Sequence, residues 1–258
     1  MRTTTQPTRH HAPRNPPASR PRGAERRSHR VPARARLFGG AAALLALALG
    51  APAAAQTATP SPSATQIAAE IQRFYDQTTT VRTAFTQSHY DRVYQRTTQS
   101  RGVLTIARPG KMRFDYLAGN GKVVVTDGAT LTVYEPGDGG GAGQYVRSPL
   151  AEGLPSALGL IAGTARLDRD FAFRLRDPAS FRWDGYVLEL RPRRPEPAYQ
   201  RILLYVDADP ATRGVVRRVL VQDHDGNLNR FDFQRTRFGQ AIAPSTFAFT
   251  PPAGARRI

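Results

Sequence analysis

The chain has 258 residues, 37 lysines and arginines against 20 aspartates and glutamates, a formal charge of +17, and no cysteine. Without cysteine there is no disulfide, no thiol catalysis, no thiolate metal site and no lipid attachment through an N-terminal cysteine. The positive excess is concentrated at the start: residues 1–55 hold ten arginines and one glutamate, so the remainder carries only +8.

That start reads as an export signal. A long basic stretch leads into an apolar run over 37–49, and the small residues Ala54 and Ala55 precede Gln56, which is the tripartite order of a cleavable leader. An apolar run of about 13 residues falls short of the roughly 20 that a spanning helix needs. The expectation is a 1–55 leader cleaved near Ala55, a flexible 56–63 tether rich in Pro, Ser, Thr and Ala, and one domain over 64–258. The charge left in that domain is almost all arginine, with Lys111 and Lys122 the only lysines, and it is scattered through the chain. A nucleic-acid footprint needs clustered cations, so no nucleic-acid partner is expected.

Ser63 is a natural N-cap, and Ile67, Ile71 and Phe74 recur at i, i+4 and i+7, predicting an amphipathic helix to about residue 76. From Val81 the period changes to 2, which predicts strands over 83–90, 102–108, 112–116, 122–127 and 131–135. Asp127-Gly128 supplies a turn, and the glycine run over 137–143 is a hairpin loop without the spacing of a phosphate-binding loop. An apolar patch over 155–162, with Leu158, Leu160 and Ile161, predicts a short helical cover. Further strands are expected over 171–175, 186–191, 201–206, 214–223, 228–236 and 246–250. The fold class is α+β and mainly antiparallel β: an incomplete, half-open barrel of about eleven strands covered by helices.

Reaction chemistry is sparse. Beyond the leader only His89 and His224 remain, neither in a zinc-ligand spacing, and no serine sits in a nucleophile elbow. The run Asp223-His224-Asp225-Gly226-Asn227 resembles the start of a calcium loop, but Gly226 comes too early and the bidentate glutamate is missing, so it reads as a polar hairpin turn. Trp183 reads as a residue packing at a turn. No enzyme activity, cofactor or metal is expected.

If the meander is regular, Phe85, Leu104, Ile106, Met112, Phe114, Tyr116, Val123, Val125, Leu131 and Val133 share one face. They form either an ordinary core under two helices or the wall of a chamber. Arg108 tilts the balance, because alternation puts it beside Leu104 and Ile106 immediately before Pro109-Gly110. A guanidinium keeps its charge, so it must find carbonyls or carboxylates on whatever covers the sheet, and breaking those bonds would free the cover.

An ordered set of segments resembles a known family. They are Phe85-Thr86-Gln87, the run from Gly102 to Tyr116, Val125-Thr126-Asp127-Gly128, Leu131-Thr132-Val133-Tyr134, and the ending from Phe247 to Gly254. In order and spacing these resemble the periplasmic outer-membrane lipoprotein carrier proteins, the LolA family. Phe114 and Thr132 stand where that family often has tryptophan. The resemblance implies an apolar cavity for the acyl chains of lipoproteins, lid helices carrying Ile67, Ile71, Phe74, Leu158, Leu160 and Ile161, and Arg108 as the lid latch. It implies residence in the periplasm as a monomer, with outer-membrane lipoproteins as cargo, an inner-membrane lipoprotein-releasing ABC transporter as donor and an outer-membrane receptor, where one exists, as acceptor. The alternatives are a lipid- or lipoprotein-sensing regulatory domain on the same fold, an exported hydrolase, and a structural or adhesion domain with a conventional filled core.

Overall fold

The computed structural model describes residues 61–117, 121–150, 159 and 161–258. The expected leader, most of the tether, and Leu158 and Leu160 of the expected cover lie outside the described residues.

Helix α1 spans Ala64–Gln77 and opens on a capping box. The Ser63 hydroxyl accepts the Gln66 N–H at 3.2 Å and the Gln66 side chain accepts the Ser63 N–H at 2.7 Å, so two donors at the helix start are satisfied reciprocally. Ile67, Ile71 and Tyr75 are buried on the face toward the sheet. Phe74 is only partly buried and meets Phe238 edge-on at 5.0 Å.

Twelve strands form one sheet, in the order β12-β6-β5-β4-β3-β2-β1-β11-β10-β9-β8-β7. They are β1 Thr80–Asp91, β2 Arg96–Ala107, β3 Lys111–Tyr116, β4 Val123–Asp127, β5 Thr130–Glu135, β6 Gln144–Pro149, β7 Phe171–Arg176, β8 Tyr186–Pro192, β9 Arg201–Val206, β10 Val216–Gln222, β11 Leu228–Phe238 and β12 Arg256–Arg257. Every pairing is antiparallel except that of β12 with β6. A one-turn helix α2, Leu167–Asp170, precedes β7 and is tied to α1, where the Gln72 side-chain carbonyl accepts the Leu167 N–H at 2.9 Å.

The half-open, mainly antiparallel sheet follows the sequence expectation except that one expected strand is absent and two strands, β6 and the two-residue edge strand β12, were not expected. Residues 246–250 are not a strand: Pro244–Phe247 is a 3-10 turn, and the chain then crosses the outer face of the sheet. Proline at its first position cannot donate to a ladder, and Phe247 and Phe249 make sheet-face contacts instead. Strand β6 was not expected because Gln144–Pro149 shows no apolar alternation; it is specified by hairpin pairing with β5 across the glycine loop.

The core lies on the face covered by α1, which is termed inner here. It unites Ile67, Ile71 and Tyr75 with Leu104, Ile106, Phe114, Leu188, Leu204, Val219, Phe231 and others from most of the strands. A second, smaller cluster of Val187, Leu203 and Tyr205 lies on the opposite face under Phe181 and Trp183. Trp183 does pack at a turn, edge-on to Tyr205 at 5.3 Å. The 223–227 run is a hairpin turn between β10 and β11, closed by the Asp223 carboxylate, which accepts the Asn227 N–H at 2.8 Å.

Candidate functional site

Strand register decides which expected wall residues meet. Leu104 pairs with Phe114, Ile106 with Met112, and Gly102 with both Phe85 and Tyr116, so these residues share the inner face. On the next strand Phe114 pairs with Val124, and Val124 with Val133, while Thr126 pairs with Leu131. Leu131 and Val133 therefore share the inner face, but Val123 and Val125 do not. Period 2 leaves no middle ground: once Val124 faces inward, both neighbours face outward. A run of three valines carries no alternation to reveal this. Val125 is buried all the same, under the C-terminal crossing, where a groove of about 520 Å³ is lined by Val125, Thr132, Arg147, Phe247 and Phe249.

The centre of the inner face is a nest of four rings. Phe85 meets Phe114 at 5.3 Å and Tyr116 at 5.1 Å, both edge-on, and Phe231 at 6.0 Å. Gly102 lies beneath it, since a Cβ there would sit 2.6 Å from the Phe85 ring. The Tyr116 hydroxyl donates to the Gln87 side chain at 2.7 Å, and burial pushes its pKa up to about 12. These rings contact one another and the core. Among the described residues a void of about 10 Å³ lies between α1 and the sheet, lined by Tyr75, Leu104, Ile161 and Phe233 among others, barely enough for one water. Among the described residues the central part of the expected chamber wall packs as a core. Toward the far end of β1, roughly 30 Å from Arg108 by strand rise, a pocket of about 200 Å³ opens beside His89, Val219, Val221 and Phe231.

Arg108 stands at the other end, just beyond β2. Its guanidinium is 3.5 Å from the Asp76 carboxylate at the end of α1, and its side chain is 13% exposed. Asp76 also accepts from Gln72 at 2.9 Å and lies 3.7 Å from Arg166. The helical backbone at Gly159, Ile161 and Ala162 closes over the same corner, where the Ala162 carbonyl accepts the Gly110 N–H at 2.9 Å. Gly163 then takes φ +81°, and a Cβ there would collide with Arg108 Nε and lie 2.8 Å from Nη2. Ile161, the described member of the expected cover, is buried in the core. Arg108 Nη1 is buried with no partner among the described residues. Among the described residues the corner is held by the long Arg108–Asp76 ion pair, the Gly110–Ala162 backbone hydrogen bond and the close approach of Gly163 to the guanidinium.

Sequence reasoning placed Arg108 beside the cover but missed Asp76 and Gly163. Asp76 looked like a helix end, and only the crossing of α1 over the end of β2 pairs it. Gly163 is one of 22 glycines, and nothing in its neighbours marks it as the one that must admit a guanidinium. Among the described residues, no group of three histidines or carboxylates is placed to hold a metal, and no helix is long and apolar enough to cross a membrane.

The comparisons with known proteins agree in kind. A family model described as outer membrane lipoprotein carrier protein LolA matches residues 76–250. The chain is 28% identical over 199 residues to an outer-membrane lipoprotein carrier protein of Chromobacterium violaceum, covering 75% of this chain and 88% of that protein. It is 26% identical over 190 residues to one from Dechloromonas aromatica, covering 72% and 84%. Among solved structures, a LolA superfamily protein from Nitrosomonas europaea aligns with a TM-score of 0.41 at 12% identity, covering 73% of this chain and 99% of that one.

Proposed function

The chain belongs to the LolA family of outer membrane lipoprotein carrier proteins, and on that premise we propose that it is a soluble periplasmic carrier. It takes lipoproteins by their acyl chains as an inner-membrane ABC transporter releases them, and hands them to the outer membrane. The carriers of this family are binding proteins without enzymatic activity, and the role proposed here needs none.

The observation that carries this reading is the pairing of a large aromatic inner face with a weakly closed corner. Acyl chains gain about 0.8 kcal/mol per methylene removed from water, so an opened nest of Phe85, Phe114, Tyr116 and Phe231 offers a strong sink. A carrier must also release its cargo, so the closed and open states must differ by only a few kcal/mol. A 3.5 Å ion pair to a carboxylate that is 42% exposed suits that requirement, because solvent screens such a pair to about 1 kcal/mol or less. Cargo enters as α1 and the segment around Ile161 lift away from the sheet, and the filled core of the empty protein keeps the aromatic face from aggregating.

The test is release from spheroplasts. The purified protein is incubated with them and the soluble fraction is assayed for an outer-membrane lipoprotein. Appearance of the lipoprotein in complex with the protein supports the reading; a folded protein that releases none overturns it.

A further inference from the structure

On the face of the sheet away from α1, Glu189 of β8 is 1% exposed and lies within reach of four guanidiniums. Arg191 is at 2.9 Å, Arg176 at 3.0 Å, Arg174 at 3.2 Å and Arg201 at 3.5 Å. Burial pushes the Glu189 carboxyl up, but the hydrogen bond from Arg191 and the charges of Arg174, Arg191 and Arg176 outweigh it and hold it below its usual value. One carboxylate neutralises one of these four cations. Two strands along, Arg218 and Arg230 share the single carboxylate of Asp232. Register places all of them on one face, since Arg174 pairs with Glu189, Glu189 with Leu203, Leu203 with Leu220, and Leu220 with Arg230. These six arginines therefore share one face with the two carboxylates.

This array is held stiffly. Arg218 lies 5.3 Å from the Trp183 ring and 5.1 Å from Tyr205, and Arg176 lies 5.9 Å from Phe181. Arg201 donates to Gln222 at 2.6 Å. Yet Arg174 and Arg191 keep 60% and 51% of their side-chain surface in solvent. Each guanidinium has five donors, more than the bond to Glu189 consumes. Glu189 acts as an internal template: it orients four forks and leaves most of their charge unspent.

We propose that the outer face of β7 to β11 is a docking surface for an acidic, extended segment of a protein partner, whose carboxylates pair with the guanidiniums arrayed around Glu189. Charge complementarity favours this occupant, and so does spacing. Alternate residues on an extended chain lie about 7 Å apart, as do alternate arginines on these strands, and the planar fork matches a carboxylate bidentately. A bilayer is the poorer fit. Interfacial binding draws on exposed apolar groups, and the large exposed hydrophobics among the described residues, Val93, Tyr94, Leu117, Val146 and Ile258, all lie off this face. Stacking of Arg218 on Trp183 and Tyr205 lowers the entropy lost when a partner is ordered on the surface. The proposal does not depend on the carrier reading and is tested without lipoprotein.

The probe is a labelled poly-L-glutamate peptide, titrated into the purified protein at low and moderate salt, with Trp183 emission as an internal reporter beside Arg218. Saturable binding that weakens at least ten-fold with added salt is expected, as screening requires. Arg174→Gln with Arg191→Gln, which leaves Glu189 held by Arg176 and Arg201, should weaken binding by about five- to ten-fold, at a few-fold per exposed pair. A control, Arg256→Gln with Arg257→Gln on the far side of the sheet order, removes the same charge and should weaken it by less than two-fold. Glu189→Gln, which frees the forks, should tighten binding by about three-fold in a variant shown by circular dichroism to be folded. Equal losses in the two double variants would overturn the proposal, since a diffuse field would then suffice. So would a stronger, equally salt-sensitive preference for phosphatidylglycerol vesicles, or weaker binding by folded Glu189→Gln.

Discussion

Arg108 Nη2 and Asp76 Oδ1 lie 3.5 Å apart, joining the end of β2 to the end of α1 across the corner where the helix leaves the sheet. The two partners are unequal. Arg108 is 13% exposed with Nη1 unpaired among the described residues, whereas Asp76 is 42% exposed and shared with Gln72 and Arg166. The cation is therefore the group that loses most when the pair breaks.

Asp76→Asn should destabilise the protein by about 1 kcal/mol in urea, because it leaves a largely buried guanidinium without its carboxylate. Arg108→Leu should cost less, because it also removes the unpaired Nη1. In lipoprotein transfer, Arg108→Leu should accept cargo much as the parent does and fail in delivery or lid closure. Unchanged transfer to outer membranes would take Arg108 out of the mechanism.

Gly163→Ala should reproduce the Arg108 defect without touching Arg108. A left-handed φ of +81° costs a side-chain-bearing residue about 1–2 kcal/mol, and the added Cβ would lie 2.8 Å from Nη2. Thermal melting should fall and delivery should suffer together. A variant with normal delivery would show that the guanidinium tolerates displacement.

Gly102→Ala addresses the aromatic nest. The new methyl would meet the Asp115 carbonyl oxygen and sit 2.6 Å from the Phe85 ring. Overpacking of this kind costs about 2–3 kcal/mol, and near-UV dichroism should change because the four packed rings shift. Retention of parental stability would mean that Phe85 moves freely, contrary to its packing against Phe114 and Tyr116.

Two tyrosines, the buried Tyr75 and the partly buried Tyr116, set an alkaline limit. Burial pushes Tyr75 up to about 12, opposed by the Val216 N–H it accepts at 3.3 Å and by the charges of Arg217 and Arg108; burial alone does the same to Tyr116. Unfolded tyrosine ionises near pH 10, so below pH 10 both states are neutral and the phenols add no pH dependence. Between about pH 10 and 12 the unfolded chain sheds protons that the native state keeps, and stability falls as pH rises, by up to about 2–3 kcal/mol per tyrosine. Tyr75→Phe should remove about half of that slope in urea melts at pH 9 to 11.5. A slope equal to the parent's would place the alkaline sensitivity elsewhere.

Much of the architecture was legible from residues alone. Helix spacing with a serine cap fixed α1, and period-2 runs fixed most of the strands, because each pattern reports which side of a local element meets water. Alternation likewise put Leu104, Ile106, Phe114 and Arg108 on one face before any partner was known. Signals failed where alternation was absent. Three successive valines could not say that Val124 faces inward, and Gln144–Pro149 showed no pattern because β6 is defined by its neighbours. The filled inner face was also illegible, since an apolar wall reads the same whether it meets acyl chains or its own helix.

The sequence by itself determined the class of fold, the conspicuous cation and the family resemblance, all of which rest on local periodicity and ordered short segments. Only the tertiary structure decided that Asp76 meets Arg108, that Gly163 makes room for it, and that Glu189 gathers four arginines contributed by three strands. Apart from Glu189 and Arg191, which are two positions apart, those contacts join residues 12 to 55 positions apart, and such proximity arises from sheet register and helix crossing, quantities that no window of sequence contains.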